Sequence, residues 1–162
     1  MNKGRNTTRS LVLSSMFAAL VCVATMVIKV PSPLNGYVNL GDSLVLLAGW
    51  LLPPAYGFMA AGIGSAMADV FSGYVLYAPA TLVIKGIMAV IVHKMVKKPK
   101  VVSGLIAETV MVIGYLLFES VLYGFGPSVV NVPANAVQGV VCLVLALIMA
   151  HFIDKNPDSL NF

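Results

Sequence analysis

Apolar residues run along this chain in long blocks, and charged residues are so few that they can be followed one at a time. Nineteen uncharged residues separate Arg9 from Lys29, twenty-six separate Asp42 from Asp69, and thirty-four separate Glu119 from Asp154. A helix crossing about 30 Å of hydrocarbon needs about 20 apolar residues, so the first block fits one span. The longer blocks need internal breaks, which Pro53-Pro54 and Gly124-Phe125-Gly126-Pro127 supply because proline and glycine interrupt helices. This pattern predicts six helices, over 10–30, 41–52, 54–73, 79–97, 102–123 and 129–153, the second being short for a full crossing. Two prolines, an Asn-Gly pair and the lack of any periodicity make Val30–Tyr37 a loop.

Composition turns that pattern into a fold class. Of 162 residues, 59% are hydrophobic and 10% charged, and the mean hydropathy is +0.95. Soluble domains have roughly 45–50% apolar and about 25% charged residues, so a soluble fold is excluded. Disorder is excluded too, since this much apolar surface cannot remain in water. The expectation is one transmembrane domain over residues 1–162, an all-α bundle of six transmembrane helices.

Charge sets the orientation. Lys3, Arg5 and Arg9 precede the first span, His93–Lys100 carries a second basic cluster, and Lys155 follows the last span. The positive-inside rule puts all three on the cytoplasmic side. That requires four crossings before the cluster and two after it, matching the helix count. The reading is a multi-pass protein of the cell membrane with cytoplasmic N- and C-termini. The net charge of +4 then describes one membrane face rather than a nucleic-acid site. The first apolar run is too long for a signal-peptide core and is followed by further spans. Cys22 and Cys142 lie mid-span and form neither a disulfide framework nor a metal site.

Polar groups at membrane depth are costly and usually face an interior or a cavity. Asn131, Asn135 and Gln138 share one face of the sixth helix near its outer end. Lys85 lies about two turns into the fourth helix, and Glu119 about one turn from the outer end of the fifth. Asp69 is near the outer end of the third helix and Asp42 opens the second. Tyr37, Asn39, Tyr74 and Tyr77 lie in or beside outer loops. These groups could merely hold the bundle together, with Lys85 paired to Glu119 and the tyrosines forming an interfacial belt. Collection at one depth, with aromatics beside amides, points instead to an outward-open cavity for a small, flat polar molecule. Its expected lining is Tyr37, Asn39, Tyr77, Lys85, Glu119, Asn131, Asn135 and Gln138, with the segment holding Tyr37 and Asn39 as its lid.

Small residues mark other faces. Ser14, Ala18 and Cys22 are spaced by four, as are Ser15 and Ala19, and the third helix repeats the pattern at Ala60, Gly64 and Ala68. Such spacing lets helices approach closely. On the third helix this fits packing within the bundle; on the first it also fits docking to another membrane subunit. Enzyme chemistry finds no support. His93 and His151 sit at cytoplasmic helix ends without metalloprotease partners, and Gly62-Ile63-Gly64-Ser65 has neither the preceding strand nor the lysine of a nucleotide loop.

The runs Asn35–Asp42 and Gly62–Asp69, then Gly73-Tyr74-Val75-Leu76-Tyr77-Ala78-Pro79-Ala80-Thr81 and Lys85-Gly86, carry a resemblance. The chain is similar to the substrate-binding S components of energy-coupling factor (ECF) vitamin transporters, in the riboflavin-transporter-like branch that includes hydroxymethylpyrimidine and pyridoxine carriers. The resemblance implies six helices, an outward-facing vitamin pocket, and docking through a small-residue face of the first helix onto a transmembrane coupling subunit. Two cytoplasmic ATPase subunits would consume the ATP, so this chain would bind no cofactor. The docking positions are Ser14, Ser15, Ala18, Ala19 and Cys22, with Ser15-xxx-Ala19 or Ser14-xxx-Ala18 standing where the family has Ala-xxx-Ala. Pyridoxine or hydroxymethylpyrimidine is the leading ligand. A different vitamin such as riboflavin, or a ligand-free assembly subunit of a membrane complex, is the alternative.

Overall fold

The computed structural model describes residues 3–32 and 37–156, with side chains from residue 7 onward. Helix α1 (Lys3–Val27) leads into an antiparallel hairpin of β1 (Lys29–Pro31) and β2 (Tyr37–Asn39), followed by α2 (Gly41–Leu51), α3 (Pro54–Phe71) and α4 (Ala78–Lys94). Then come α5 (Lys100–Tyr123), the single turn α6 (Phe125–Val129) and α7 (Val132–Lys155).

The six long helices correspond to the six expected ones, with differences at their ends. Helix α1 begins earlier than 10, because the polar segment before Arg9 continues the helix although it adds nothing to the apolar block. It stops at Val27 rather than 30. Pro31 holds Val30 in extended backbone, and Lys29–Pro31 pairs with Tyr37–Asn39 in the register Lys29↔Asn39, Val30↔Val38 and Pro31↔Tyr37. The segment read as a loop is thus partly a hairpin, and Pro33-Leu34-Asn35-Gly36 lies outside the described residues. Helix α4 ends at Lys94 rather than 97, and the hydrogen bond from the Lys98 N–H to the Met95 carbonyl (2.8 Å) closes a turn ahead of Pro99. The break after α5 contains α6, entered through Gly124 at φ +86°, a left-handed backbone suited to glycine.

Helix α2 is the axle of the molecule. It has 11 residues, nine of them buried, and at 1.5 Å per residue it is only about 16 Å long. Val45, Leu46, Leu47 and Trp50 pack with Val21, Met88, Ala89, Val92, Met111, Leu143 and Ala146 in the main core. The Trp50 indole donates to Ser103 Oγ at 3.0 Å, which satisfies its one polar atom. Outside this core the chain is apolar outward: Leu11, Met16, Leu20, Val23, Leu105, Leu117, Val137, Val140 and Val144 are all about half exposed or more. An apolar exterior over a core holding buried polar groups is the arrangement a lipid solvent favours. Among the described residues, three helices are long and apolar enough to cross a membrane alone, Thr7–Val27, Lys100–Tyr123 and Phe125–Lys155.

Helix α3 packs against both α1 and α4, and its small residues permit it. A β-carbon at Gly64 would lie 2.5 Å from the Ala18 carbonyl oxygen, and one at Gly62 would lie 2.6 Å from the Leu82 carbonyl oxygen. Ala60, Ala61, Ser65 and Ala68 complete the buried face. The small-residue spacing on this helix therefore serves packing within the bundle.

Candidate functional site

Polar side chains from β2, α3, α5 and α7, with residues of the α3–α4 connection, converge at the end of the bundle where the hairpin sits. They enclose a cavity lined by Ser32, Tyr37, Asn39, Asp69, Tyr74, Tyr77, Tyr115, Glu119, Asn135 and Gln138. Its volume is about 30 Å³, room for about two water molecules.

Strand β2 supplies one wall. Pairing with β1 alternates its side chains, and Tyr37 Oη donates to Asp69 Oδ1 at 2.6 Å. The Tyr37 and Tyr74 rings stack at 4.7 Å between centroids, tilted by 49°, and Lys29 Nζ lies over the Tyr37 ring at 5.6 Å. Burial, and next the adjacent Asp69 carboxylate, push the Tyr37 hydroxyl well above the usual phenol range. Tyr37 therefore stays a hydrogen-bond donor throughout the physiological range.

Glu119 anchors the opposite wall. It is 2% exposed, and its Oε1 accepts from Asn131 Nδ2 at 2.8 Å and from Tyr77 Oη at 3.3 Å. Tyr115, one helical turn before Glu119, shares a 3.0 Å hydrogen bond with the Thr81 hydroxyl. Among the described residues, Asp69 Oδ2 and Glu119 Oε2 are buried with no hydrogen-bond partner. Each carboxylate of the wall thus keeps one oxygen unspent, and an unsatisfied buried acceptor is a costly arrangement that a ligand's donor would relieve.

The floor is a chain of bonds. The Asn39 N–H donates to Gln138 Oε1 at 2.8 Å, and Gln138 Nε2 donates to Asp42 Oδ2 at 2.5 Å. Asp42 Oδ1 is ion-paired with Lys85 Nζ at 2.5 Å. The Asn39 side chain turns away to accept from the Gly41 N–H at 2.9 Å, holding the step from β2 into α2.

Six of the eight residues expected to line the cavity do so: Tyr37, Asn39, Tyr77, Glu119, Asn135 and Gln138. Lys85 and Asn131 lie behind the wall, Lys85 against Asp42 and Asn131 against Glu119. The Lys85–Glu119 pairing is therefore replaced by two separate arrangements. A lysine two turns into α4 meets the first turn of the short α2, while Glu119 meets the N-cap of α7. Ser32, Asp69, Tyr74 and Tyr115 line the cavity without having been assigned to it. For Tyr115 a signal existed: Glu108, Met111, Tyr115 and Glu119 follow a helical spacing that puts them on one face of α5. Glu108 was also overlooked; it is 5% exposed, and neither of its oxygens has a hydrogen-bond partner among the described residues.

The expected docking residues gather elsewhere. Ser14, Ser15, Ala18, Ala19 and Cys22 line a groove of about 470 Å³ between α1 and α3, with Leu11, Val23, Met59, Ile63, Met67 and Phe71. Ser14 is buried and donates to the Tyr56 carbonyl at 2.9 Å, and the Ala18 backbone sits against Gly64. Ser15 and Ala19 are exposed, and the Ser15 hydroxyl returns to the Leu11 carbonyl at 3.0 Å. Cys22 and Cys142 are both free thiols.

Comparison with known proteins agrees with this architecture. A solved structure, the S component of a bacterial ECF transporter, superposes with a TM-score of 0.75 at 21% identity, over 92% of this chain and 97% of that one; at that identity the likeness shows the fold. A protein of Pyrococcus woesei, described as "Uncharacterized protein in gap 3'region", is 37% identical over 142 residues, covering 84% of this chain and 95% of its own length. The family model for the ECF-type riboflavin transporter S component matches residues 5–155. This membrane protein is a vitamin-binding transporter subunit, a member of the ECF-type riboflavin transporter S component family.

Proposed function

We propose that this chain captures a single-ring vitamin or vitamin precursor, pyridoxine or hydroxymethylpyrimidine before riboflavin, from outside the cell. The observation that carries the reading is a pair of carboxylates, Asp69 and Glu119, each with one oxygen left without a partner among the described residues, in the lining of a cavity that also holds four tyrosines. Two acceptors among aromatic rings suit a flat heteroaromatic ring bearing hydroxyl, hydroxymethyl or amino donors. The cavity must widen for any such ring, since small-molecule pockets typically span about 300–1,000 Å³. Parting the Tyr37 and Tyr74 rings is the shortest route, and it makes β2 the lid. A single ring demands less widening than the three fused rings of riboflavin.

In this reading the chain crosses the membrane six times with both termini cytoplasmic, so the cavity opens outward. The exposed Ser15-xxx-Ala19 pair is the docking register, because Ser14 and Ala18 are engaged by α3. The partners are a transmembrane coupling subunit and two cytoplasmic ATPases, which would use the ATP; this chain itself would bind no cofactor. A thermal-shift panel on the purified protein tests the ligand class. Pyridoxine or hydroxymethylpyrimidine should raise the melting temperature at micromolar concentration. A rise with riboflavin alone would overturn the single-ring preference, and no rise with any vitamin would favour an assembly subunit.

A further inference from the structure

Beneath the cavity lies a buried ion pair that does not line it, with the buried Glu108 of α5 near enough to interact electrostatically with both members. Asp42 in the first turn of α2 is 1% exposed, and Lys85 of α4 is 2% exposed. A buried ion pair seldom adds stability over an apolar pair of similar size, because desolvating two charges offsets their attraction. Stability alone is therefore a weak reason for this pair, and its bonding points to another.

Lys85 Nζ occupies Asp42 Oδ1, which leaves Oδ2 for Gln138 Nε2. A glutamine amide is close to symmetric in shape but not in chemistry: one end donates and the other only accepts. A carboxylate that lacks a proton can only accept, so it fixes the amide with Nε2 toward α2. That choice aims Oε1 at the Asn39 N–H. A chain of directed bonds thus runs from α4 through α2 and α7 and ends on the backbone of β2, the strand carrying Tyr37 and Asn39 into the cavity. Cys142 Sγ, one turn beyond Gln138, also bonds the Asn39 carbonyl at 3.3 Å, so both backbone polar groups of Asn39 are held by α7.

We infer that Asp42 and Lys85 are positioning residues: the pair sets the amide orientation of Gln138 and through it seats β2 over the cavity. Lys85 neutralises Asp42 and holds one of its oxygens; Asp42 dictates which way Gln138 points. Neither lines the cavity. The consequence for ligand binding rests on reading the cavity as the vitamin site, whereas the seating of β2 does not.

The test uses the full chain in lipid nanodiscs and two double variants that lack both charges of the pair and keep Glu108. Asp42→Leu with Lys85→Met removes both charges and the anchor for Gln138. Asp42→Asn with Lys85→Met also removes both charges but keeps an acceptor oxygen at position 42. Hydrogen–deuterium exchange of the ligand-free proteins is followed on peptides containing Asn39. The leucine variant should exchange at least about tenfold faster there than the parent, and the asparagine variant should recover most of the protection. Gln138→Leu, which leaves both charges in place but removes the acceptor of the Asn39 N–H, should reproduce the fast exchange, and slow exchange there overturns the assignment even if the leucine variant does not fold. Equal protection at Asn39 in the parent and in whichever of these anchor-free variants fold would overturn the assignment, because a merely structural pair would not act through one amide. Pyridoxine affinity, read by calorimetry on the same proteins, should follow the exchange, about tenfold weaker in the leucine variant and restored in the asparagine variant. If exchange follows this pattern while pyridoxine binds all the variants as it binds the parent, the positioning role stands and the cavity reading falls.

Discussion

Replacing Glu119 by glutamine separates its two oxygens, one structural and one left over. Oε1 already accepts from Asn131 and Tyr77, and the glutamine oxygen can keep both bonds. Oε2 has no partner among the described residues and becomes an NH₂ group, so a ligand donor that met an acceptor now meets a donor. Flipping the amide does not escape the conflict, because Nε2 would then face the Asn131 amide nitrogen. A hydrogen bond to a charged group contributes about 1.5–3 kcal/mol. At 1.4 kcal/mol per decade, its loss weakens binding roughly 10- to 100-fold. Calorimetric titration of Glu119→Gln and the parent in nanodiscs, with a vitamin the parent binds, reads this directly. The melting temperature of the ligand-free variant should stay close to that of the parent, since shape and internal bonds persist. Affinity within twofold of the parent would refute the argument that Oε2 receives a ligand donor.

Other perturbations address separate parts of the molecule. Asn135→Ala, which trims a half-buried cavity residue with no described structural bond through its side chain, should weaken the same titration at least tenfold and leave melting unchanged; Glu119→Ala should weaken it by at least as much. Gly64→Ala places a β-carbon against the backbone oxygen of Ala18, which cannot rotate away, so α1 and α3 must part at a cost of about 1–3 kcal/mol. A melting curve superposing on the parent's would mean the close α1–α3 approach is not needed. Ser15→Leu or Ala19→Leu should abolish co-purification with the coupling subunit while vitamin binding by the isolated chain is unchanged; retained co-purification in both would move the docking face off this register.

Long uncharged runs and paired prolines made the helices legible in the sequence, because a membrane span is set by length and apolarity alone. What the sequence concealed was pairwise: which polar groups meet. Asp42 and Lys85 stand forty-three residues apart, and only the short, central α2 brings the first turn of one helix to the second turn of another. Strand β1 was masked by Pro31, a residue type that normally counts against a strand and is tolerated here because Pro31 ends β1 in a two-stranded ribbon. Ser14 and Ser15 looked interchangeable along the sequence. They differ in the fold because α1 has one face on α3, so only one of the two can remain exposed.

The central claim is that the cavity holds a small ring compound taken from outside the cell. Native mass spectrometry of the protein, purified from cells in rich medium without added ligand, tests it most directly. The account predicts an adduct of the mass of pyridoxine, hydroxymethylpyrimidine or a close single-ring relative, lost in Glu119→Gln and retained in Ser15→Leu. An adduct that persists unchanged in Glu119→Gln, or a chain that stays bare even when these compounds are supplied in excess, would contradict it.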